Sequence, residues 1–462
     1  MSDDSNLALW VVVWIIVIGI VLTSQWRKRL VGVGLTFAFL GHLGAIHWLA
    51  AVIYLMPWYV YYVDIDDEIL LEAGFRQGTY AIVAFAVGSV IIAPFLRRLF
   101  GSSGRMPIIP PAGKRLAKMY TAVGLLCFLA LRSPIGRMPT VNALVAVGMN
   151  LLVVGLGLMC WDAWHTKRRR IFVGWLFVTL SFPLFTIVFL GFAGVGAGIF
   201  LLLLAFISSF VRPRWKLIAV GLLFLYLGIS FYGTYARDRD LIREVVWSEE
   251  ATLGDRVEQL YLTLSNLEWF SPFNPVHLFA IDHRLNMNSQ VGSAVDYLQS
   301  GYREYAYGKT IWQSIIGLIP RAVWPGKPVV AGGSEMASYY TGIEYSEGTS
   351  VGLGLVTEFY VNFGAVGVVL GFLCLGVLVA VVDWNAGQRL LKGDWRGFTL
   401  WFLPGMTLLG VGGSLVEMTS GAGAAVVTAL LVNRYLVRLF QNKKPATPFN
   451  KAAGETAQSL QP

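Results

Sequence analysis

Charged residues set beside long apolar runs are the first place to look for chemistry, because charge held against a low-dielectric phase is costly and is kept where it does something. Four such groupings lie between Tyr235 and Phe363. The first, Tyr235-Ala236-Arg237-Asp238-Arg239-Asp240-Leu241-Ile242-Arg243, leaves an apolar run. On a continuing helix Arg239 and Arg243 share a face and Arg237 lies on another, so one or two guanidinium forks could meet a phosphate. A solvated helix start with local Arg and Asp pairs would use the same residues. The second, Gly301 to Lys309, holds Tyr302, Arg303, Tyr305 and Tyr307. Aromatic faces stack on sugar C–H surfaces and phenol hydroxyls bond sugar oxygens, while an interfacial aromatic belt has the same composition.

The third grouping, Gly317 to Pro328, holds Arg321 and Lys327 between Pro320, Pro325 and Pro328. The prolines bend and then fix the chain, which keeps both cations at the bilayer surface, where they suit a lipid diphosphate or serve as headgroup anchors. The fourth, Gly352 to Gly364, places Glu358 and Asn362 four apart on one face of a helix. A carboxylate there could accept a proton from a sugar hydroxyl, with burial making it a better base, or could be salt-bridged to an arginine.

Other residues carry weaker signals. His42 and His47 read as helix-packing donors, and His277 and His283 beside Asp282 lack a metal-ligand spacing. Glu417 is a second-choice base. Cys127, Cys160 and Cys374 fall in or at the end of apolar runs and read as packing residues, so neither a disulfide framework nor a metal site is expected.

The elements that must position these groups follow from composition. The chain has 462 residues, 56% hydrophobic and 14% charged, against about 25% charged in soluble domains, which makes it an all-α integral membrane protein. Eleven segments have the length to cross a hydrocarbon core: 7–24, 30–55, 77–96, 117–131, 141–160, 171–190, 195–211, 216–234, 364–382, 397–415 and 418–437. The organisation expected is therefore spans one to eight over 1–234, one large loop with interfacial helices over 235–363, spans nine to eleven over 364–437, and a disordered tail over 438–462. The first segment lacks a basic n-region and reads as a retained span.

Alternating the loops puts 24 of the 36 basic residues on one side, which is then cytoplasmic, with the N-terminus outside and the C-terminus inside. The large loop carries 15 acidic and 9 basic residues, so the net charge of +9 is an orientation signal and nucleic acid is excluded as a partner. No internal repeat supports a transporter of two related halves.

Ile319 to Pro328 reads Ile-Pro-Arg-x-x-Trp-Pro-x-Lys-Pro, and Gly354 to Gly364 reads Gly-x-x-x-Glu-x-Tyr-x-Asn-Phe-Gly. Together with ten to fourteen spans and one large loop in the second half, these resemble the Wzy-type O-antigen and exopolysaccharide repeat-unit polymerases. The resemblance implies a cofactor-free, metal-independent glycosyltransferase of the bacterial inner membrane with a glycosyltransferase C-like membrane architecture. It would join undecaprenyl-diphosphate-linked repeat units at the periplasmic face, among membrane lipids, with a chain-length regulator and a flippase of the same pathway as partners. It gives Arg321 the diphosphate most directly; from their own positions and chemistry, Arg239 is expected to join it as catalytic, Glu358 to act as base, and Arg237, Arg303, Lys327, Tyr302, Tyr305 and Asn362 to bind substrate. Many relatives carry an arginine in the turn before the seventh span, which Phe192 to Gly198 lacks. The rival readings are an O-antigen ligase and a lipid-linked glycan flippase or exporter.

Overall fold

The computed structural model describes residues 4–27, 32–59, 65–100, 114–131, 139–191, 193–211, 214–248, 250–319, 324, 326–327, 333–345 and 351–436. Every regular element among them is helical. The first part comprises α1 (Asp4–Arg27), then α2 (Leu35–Leu43), which runs through a π turn into α3 (Leu49–Tyr54), and α4 (Ile65–Ala86), which runs through another into α5 (Ala93–Phe100). It continues with α6 (Lys114–Ala130), α7 (Pro139–Met149), α8 (Leu151–His165), α9 (Arg169–Leu180), α10 (Phe182–Leu190), α11 (Ala193–Phe210) and α12 (Arg214–Trp247).

Seven helices among the described residues are long and apolar enough to cross a membrane: Asn6–Gln25, Leu35–Tyr54, Glu68–Leu99, Val141–His165, Arg169–Leu190, Leu355–Leu391 and Leu415–Tyr435. Leu9, Ile15, Ile16 and Ile20 of the first are all more than half exposed, as they would be with lipid for a solvent. These seven coincide with seven of the eleven expected segments. Of the rest, 195–211 corresponds to a shorter apolar helix, 117–131 falls on the 17-residue α6, and 397–415 holds a helix of 13 residues. The segment 216–234 begins on side chains outside the described ones.

The region expected as one long loop is built of helices. α12 continues to Trp247, and α13 (Leu253–Ser265), α14 (Pro275–Leu285), α15 (Asn288–Gln299), α16 (Lys309–Gly317) and α17 (Ser334–Thr341) follow. Two of these starts have a side-chain cap: a Thr252/Asp255 capping box opens α13, and the Asn274 side chain caps α14 ahead of Pro275. The helical patches expected near Val257 to Leu267 and after Lys309 correspond to α13 and α16. α18 (Leu355–Leu391), α19 (Trp395–Thr407) and α20 (Leu415–Leu431) complete the bundle.

The core gathers around α4. Phe39 of α2 stacks on Phe85 at 4.3 Å between ring centres and meets Phe372 of α18 edge-on at 6.3 Å. At its other end α4 lies directly on α15, because Gly74 faces the Asn288 carbonyl and Gly292 faces the Leu70 carbonyl. A methyl group at Gly292 would overlap that carbonyl oxygen. The Gly292→Ala variant is therefore expected to lose about 1–3 kcal/mol of stability through overpacking, read as a lower unfolding midpoint in detergent.

Candidate functional site

Glu358 stands in the first two turns of α18, which are separated from the rest of the helix by a break. Phe363 and Gly364 leave helical geometry there, Gly364 at φ 60° and ψ −151°, a backbone region that glycine enters without a side-chain clash. The short piece before the break is anchored at its start by the Leu355 N–H, which donates to the Val411 carbonyl at 2.9 Å. The turn that supplies this carbonyl leads into α20, whose first residue Leu415 donates its N–H to Glu358 Oε2 at 2.6 Å. Glu358 thus sits at a helix N-terminus, where unpaired N–H groups and the helix dipole favour a carboxylate. The adjoining Ser414/Glu417 capping box occupies Glu417, the second-choice base. Glu358 is fully buried, and its Oε1 has no hydrogen-bond partner among the described residues, although the Thr310 side chain faces the carboxyl group.

Asn362 joins this piece to the segment with the tyrosines. Its Nδ2 donates to Thr310 Oγ1 and to the Glu358 carbonyl, both at 2.7 Å, and its Oδ1 accepts the Gly308 N–H at 2.9 Å. The Ala306 N–H donates to the Val361 carbonyl at 2.8 Å, which satisfies an otherwise open end of the short helix. Residues fifty apart in sequence are therefore fastened together, with Tyr305 beside Tyr360 at 6.3 Å between ring centres. Tyr302 and Arg303 occupy the exposed turn of the same segment: Tyr302 stacks on Tyr297 at 5.0 Å, and the Arg303 guanidinium lies 4.6 Å from the Tyr339 ring centre.

The arginines of α12 divide between two faces. Arg237 is engaged by Asp238, Glu268 and the Asn266 carbonyl, the local pairing that was one of its two readings. His277 also bonds Glu268, and no group of three metal-ligating side chains converges among the described residues. Arg239 lies on the other face with Arg243, as their spacing requires, and Arg284 of α14 joins them around Tyr232. Burial lowers the Arg243 pKa, and the like charges of Arg239 and Arg284 lower it further, while Tyr235 opposes the shift. Gathering three guanidinium groups is unfavourable unless an anion offsets their repulsion. Arg284 escapes a reading of the linear sequence, being far from Arg239 along the chain. The available hint was Ser230 and Thr234, polar on one face of an apolar helix: they accept the N–H groups of Phe270 and Glu268 and so bring the segment before α14 onto α12.

The Lys327 ammonium donates to the Gly317 and Ile319 carbonyls, both at 3.1 Å, closing the end of α16. Arg321 lies outside the described residues. The structure thus brings Glu358, Asn362 and Tyr305 together, sets Tyr302 and Arg303 on the same segment, and assembles Arg239 with two further arginines.

These elements are shared with other proteins, since a family described as a domain of unknown function, DUF8712, matches residues 115–414. The chain belongs to DUF8712. The match spans 300 of the 462 residues and includes Glu358, Asn362, the tyrosine segment and the α12 and α14 arginines, while Leu415 and Glu417 lie just beyond it. It ends at Ser414, the cap of the helix on which Glu358 rests, so the family's extent takes in both the short α18 piece and the α12 arginines. Comparison with curated proteins and with solved structures finds no match.

Proposed function

We propose that this DUF8712 chain polymerises undecaprenyl-diphosphate-linked oligosaccharide repeat units at the periplasmic face of a bacterial inner membrane. The observation that carries the reading is the buried carboxylate of Glu358, one oxygen held and the other open, tied through Asn362 to a segment rich in tyrosines. In this reading the chain crosses the membrane eleven times in a glycosyltransferase C-like arrangement. The N-terminus and the region 235–363 lie outside, and the C-terminal tail lies inside. The Ile319 to Pro328 and Gly354 to Gly364 motifs support it by resemblance.

In the proposed step an acceptor sugar hydroxyl attacks the anomeric carbon of the donor glycan. Glu358 takes the hydroxyl proton, and the bond from that carbon to the diphosphate oxygen breaks, so undecaprenyl diphosphate leaves with the electron pair. Arg239, Arg243 and Arg284, with Arg321 and Lys327, balance the charge that develops on the leaving group. Tyr302, Arg303 and Tyr305 position the sugars, and the linkage is made without metal or nucleotide because the lipid carrier brings its own activation.

Incubating the purified protein with a synthetic lipid-linked repeat unit tests this directly: a ladder of products on a gel is expected. Absence of polymer, with product appearing only when a lipid A core acceptor is added, would mean a ligase; transport alone would leave the repeat unit unchanged. Removing one charged contact to a phosphate costs about 1.5–3 kcal/mol, so Arg239→Ala and Arg284→Ala should each lower kcat/KM by about 10- to 100-fold. Full activity in both variants would remove the cluster from the mechanism.

A further inference from the structure

A groove of about 940 Å3 follows α18 beyond the break. Tyr305 and Asn362 stand at its polar end, and Val366, Leu370, Cys374 and Leu378 continue it along the helix at every fourth residue. From Val366 to Leu378 that is about 18 Å of helix, more than half of a hydrocarbon core about 30 Å thick. The four residues are exposed, on a helix long and apolar enough to span.

A cation lies within electrostatic reach of Tyr360, whose ring is 6.3 Å from that of Tyr305 at the polar end. Arg76 lies in the apolar helix Glu68–Leu99, is exposed, and makes no ion pair or hydrogen bond among the described residues, not even with Glu72 one turn earlier. It lies within electrostatic reach of the Tyr360 hydroxyl, which accepts from Gln299 Nε2 at 3.2 Å and interacts with Tyr305 at the groove mouth. A cation in a spanning helix that forms no ion pair among the described residues marks a place where a ligand can supply negative charge.

We propose that the groove and Arg76 form a binding site for a polyprenyl phosphate, its single hydrocarbon chain along Val366, Leu370, Cys374 and Leu378 and its phosphate at the tyrosine end against Arg76. The site deepens the polymerase reading and rests on it for its meaning: a reaction that joins two lipid-linked substrates needs two anion sites, and the cluster of Arg239, Arg243 and Arg284 is the other.

The test uses the full chain, purified in detergent and freed of lipid, and follows maleimide labelling of Cys374 by mass spectrometry while undecaprenyl phosphate is titrated in, with Cys127 as the internal reference. Saturable protection of Cys374 is expected. Arg76→Ala should raise the half-protecting concentration about tenfold, Arg76→Lys should recover part of that, and the neutral alcohol undecaprenol should require about tenfold more than the phosphate with the native chain and show no dependence on Arg76. Equal protection by undecaprenol and its phosphate, equal protection by phosphatidylglycerol, or an unchanged midpoint in Arg76→Ala would overturn the proposal. Should Arg76→Ala not fold, Arg76→Lys and the comparison of alcohol with phosphate decide it. No polymer is read in this assay, so loss of this site and loss of the polymerase reading are separate outcomes.

Discussion

Glu358→Gln is expected to lower polymer formation by at least about 100-fold while leaving the amount of inserted protein and its unfolding midpoint close to those of the native chain. Glutamine keeps the shape of the side chain, and its amide oxygen can still accept the Leu415 N–H that Glu358 Oε2 accepts at 2.6 Å. Its NH2 group then takes the place of Oε1, which has no partner among the described residues, so the α20 start stays capped and only the capacity to take a proton is lost. Glu358→Ala removes the cap as well, and should lower both activity and stability. The pair separates two roles that one fully buried carboxylate could have. If Glu358→Gln retains native activity in the gel assay with synthetic lipid-linked repeat, the carboxylate is a helix cap and the base must be sought elsewhere.

The accessibility of Glu358 follows from what covers it. The turn from Gly410 to Ser414 lies across the start of the short α18 piece, fixed by the Leu355 to Val411 hydrogen bond, and it carries three glycines. The break at Phe363 and Gly364 separates the short piece from the spanning part of α18, and every residue of that piece from Leu355 to Asn362 is buried. Both features lie within the extent of the family.

How much of this was legible beforehand depends on the range of the interaction concerned. Relations within one helix were readable: Glu358 and Asn362 share a face, Arg239 and Arg243 share another with Arg237 apart, and seven expected spans have their counterparts, because helix period and the thickness of a bilayer are local rules. Relations between elements were not. Nothing in the order of residues says that Gly308 donates to Asn362, or that Arg284 comes to Arg239, since these depend on how α16 and α14 pack. Arg76 falls one residue before the expected start of its span at 77, and a fixed boundary hid that it belongs to the apolar helix. Lys327 was placed near the membrane surface by the prolines around it, and its bonds to two α16 carbonyls add a structural duty that linear spacing does not encode. Cys374, expected to pack, instead lines the exposed groove, because a helix in lipid has no polar face to distinguish inside from outside.

The largest stability effect is expected at Asp383, twenty-five residues beyond Glu358 on α18. It is buried, and it holds the start of α2: Oδ1 accepts the N–H groups of Val33 at 2.7 Å and Leu35 at 3.1 Å, and Oδ2 accepts the Thr36 hydroxyl at 3.1 Å. The residue at the N-cap position of α2 is Gly34, which has no side chain to do this, so the capping group comes from a helix hundreds of residues away. Asp383→Ala leaves three donors without an acceptor in apolar surroundings, where water cannot replace it, and should cost about 3–5 kcal/mol. Asp383→Asn retains one acceptor oxygen for the two N–H groups but turns an amide toward Thr36, and should cost about 1–2 kcal/mol. Tryptophan fluorescence during thermal unfolding in detergent would rank the variants native, Asn, Ala. Activity per folded molecule should be unchanged in both, because Asp383 touches none of the groups around Glu358. An Ala variant as stable as the native chain would mean that α2 is positioned by packing alone, and that the carboxylate is retained for some purpose other than holding the helix.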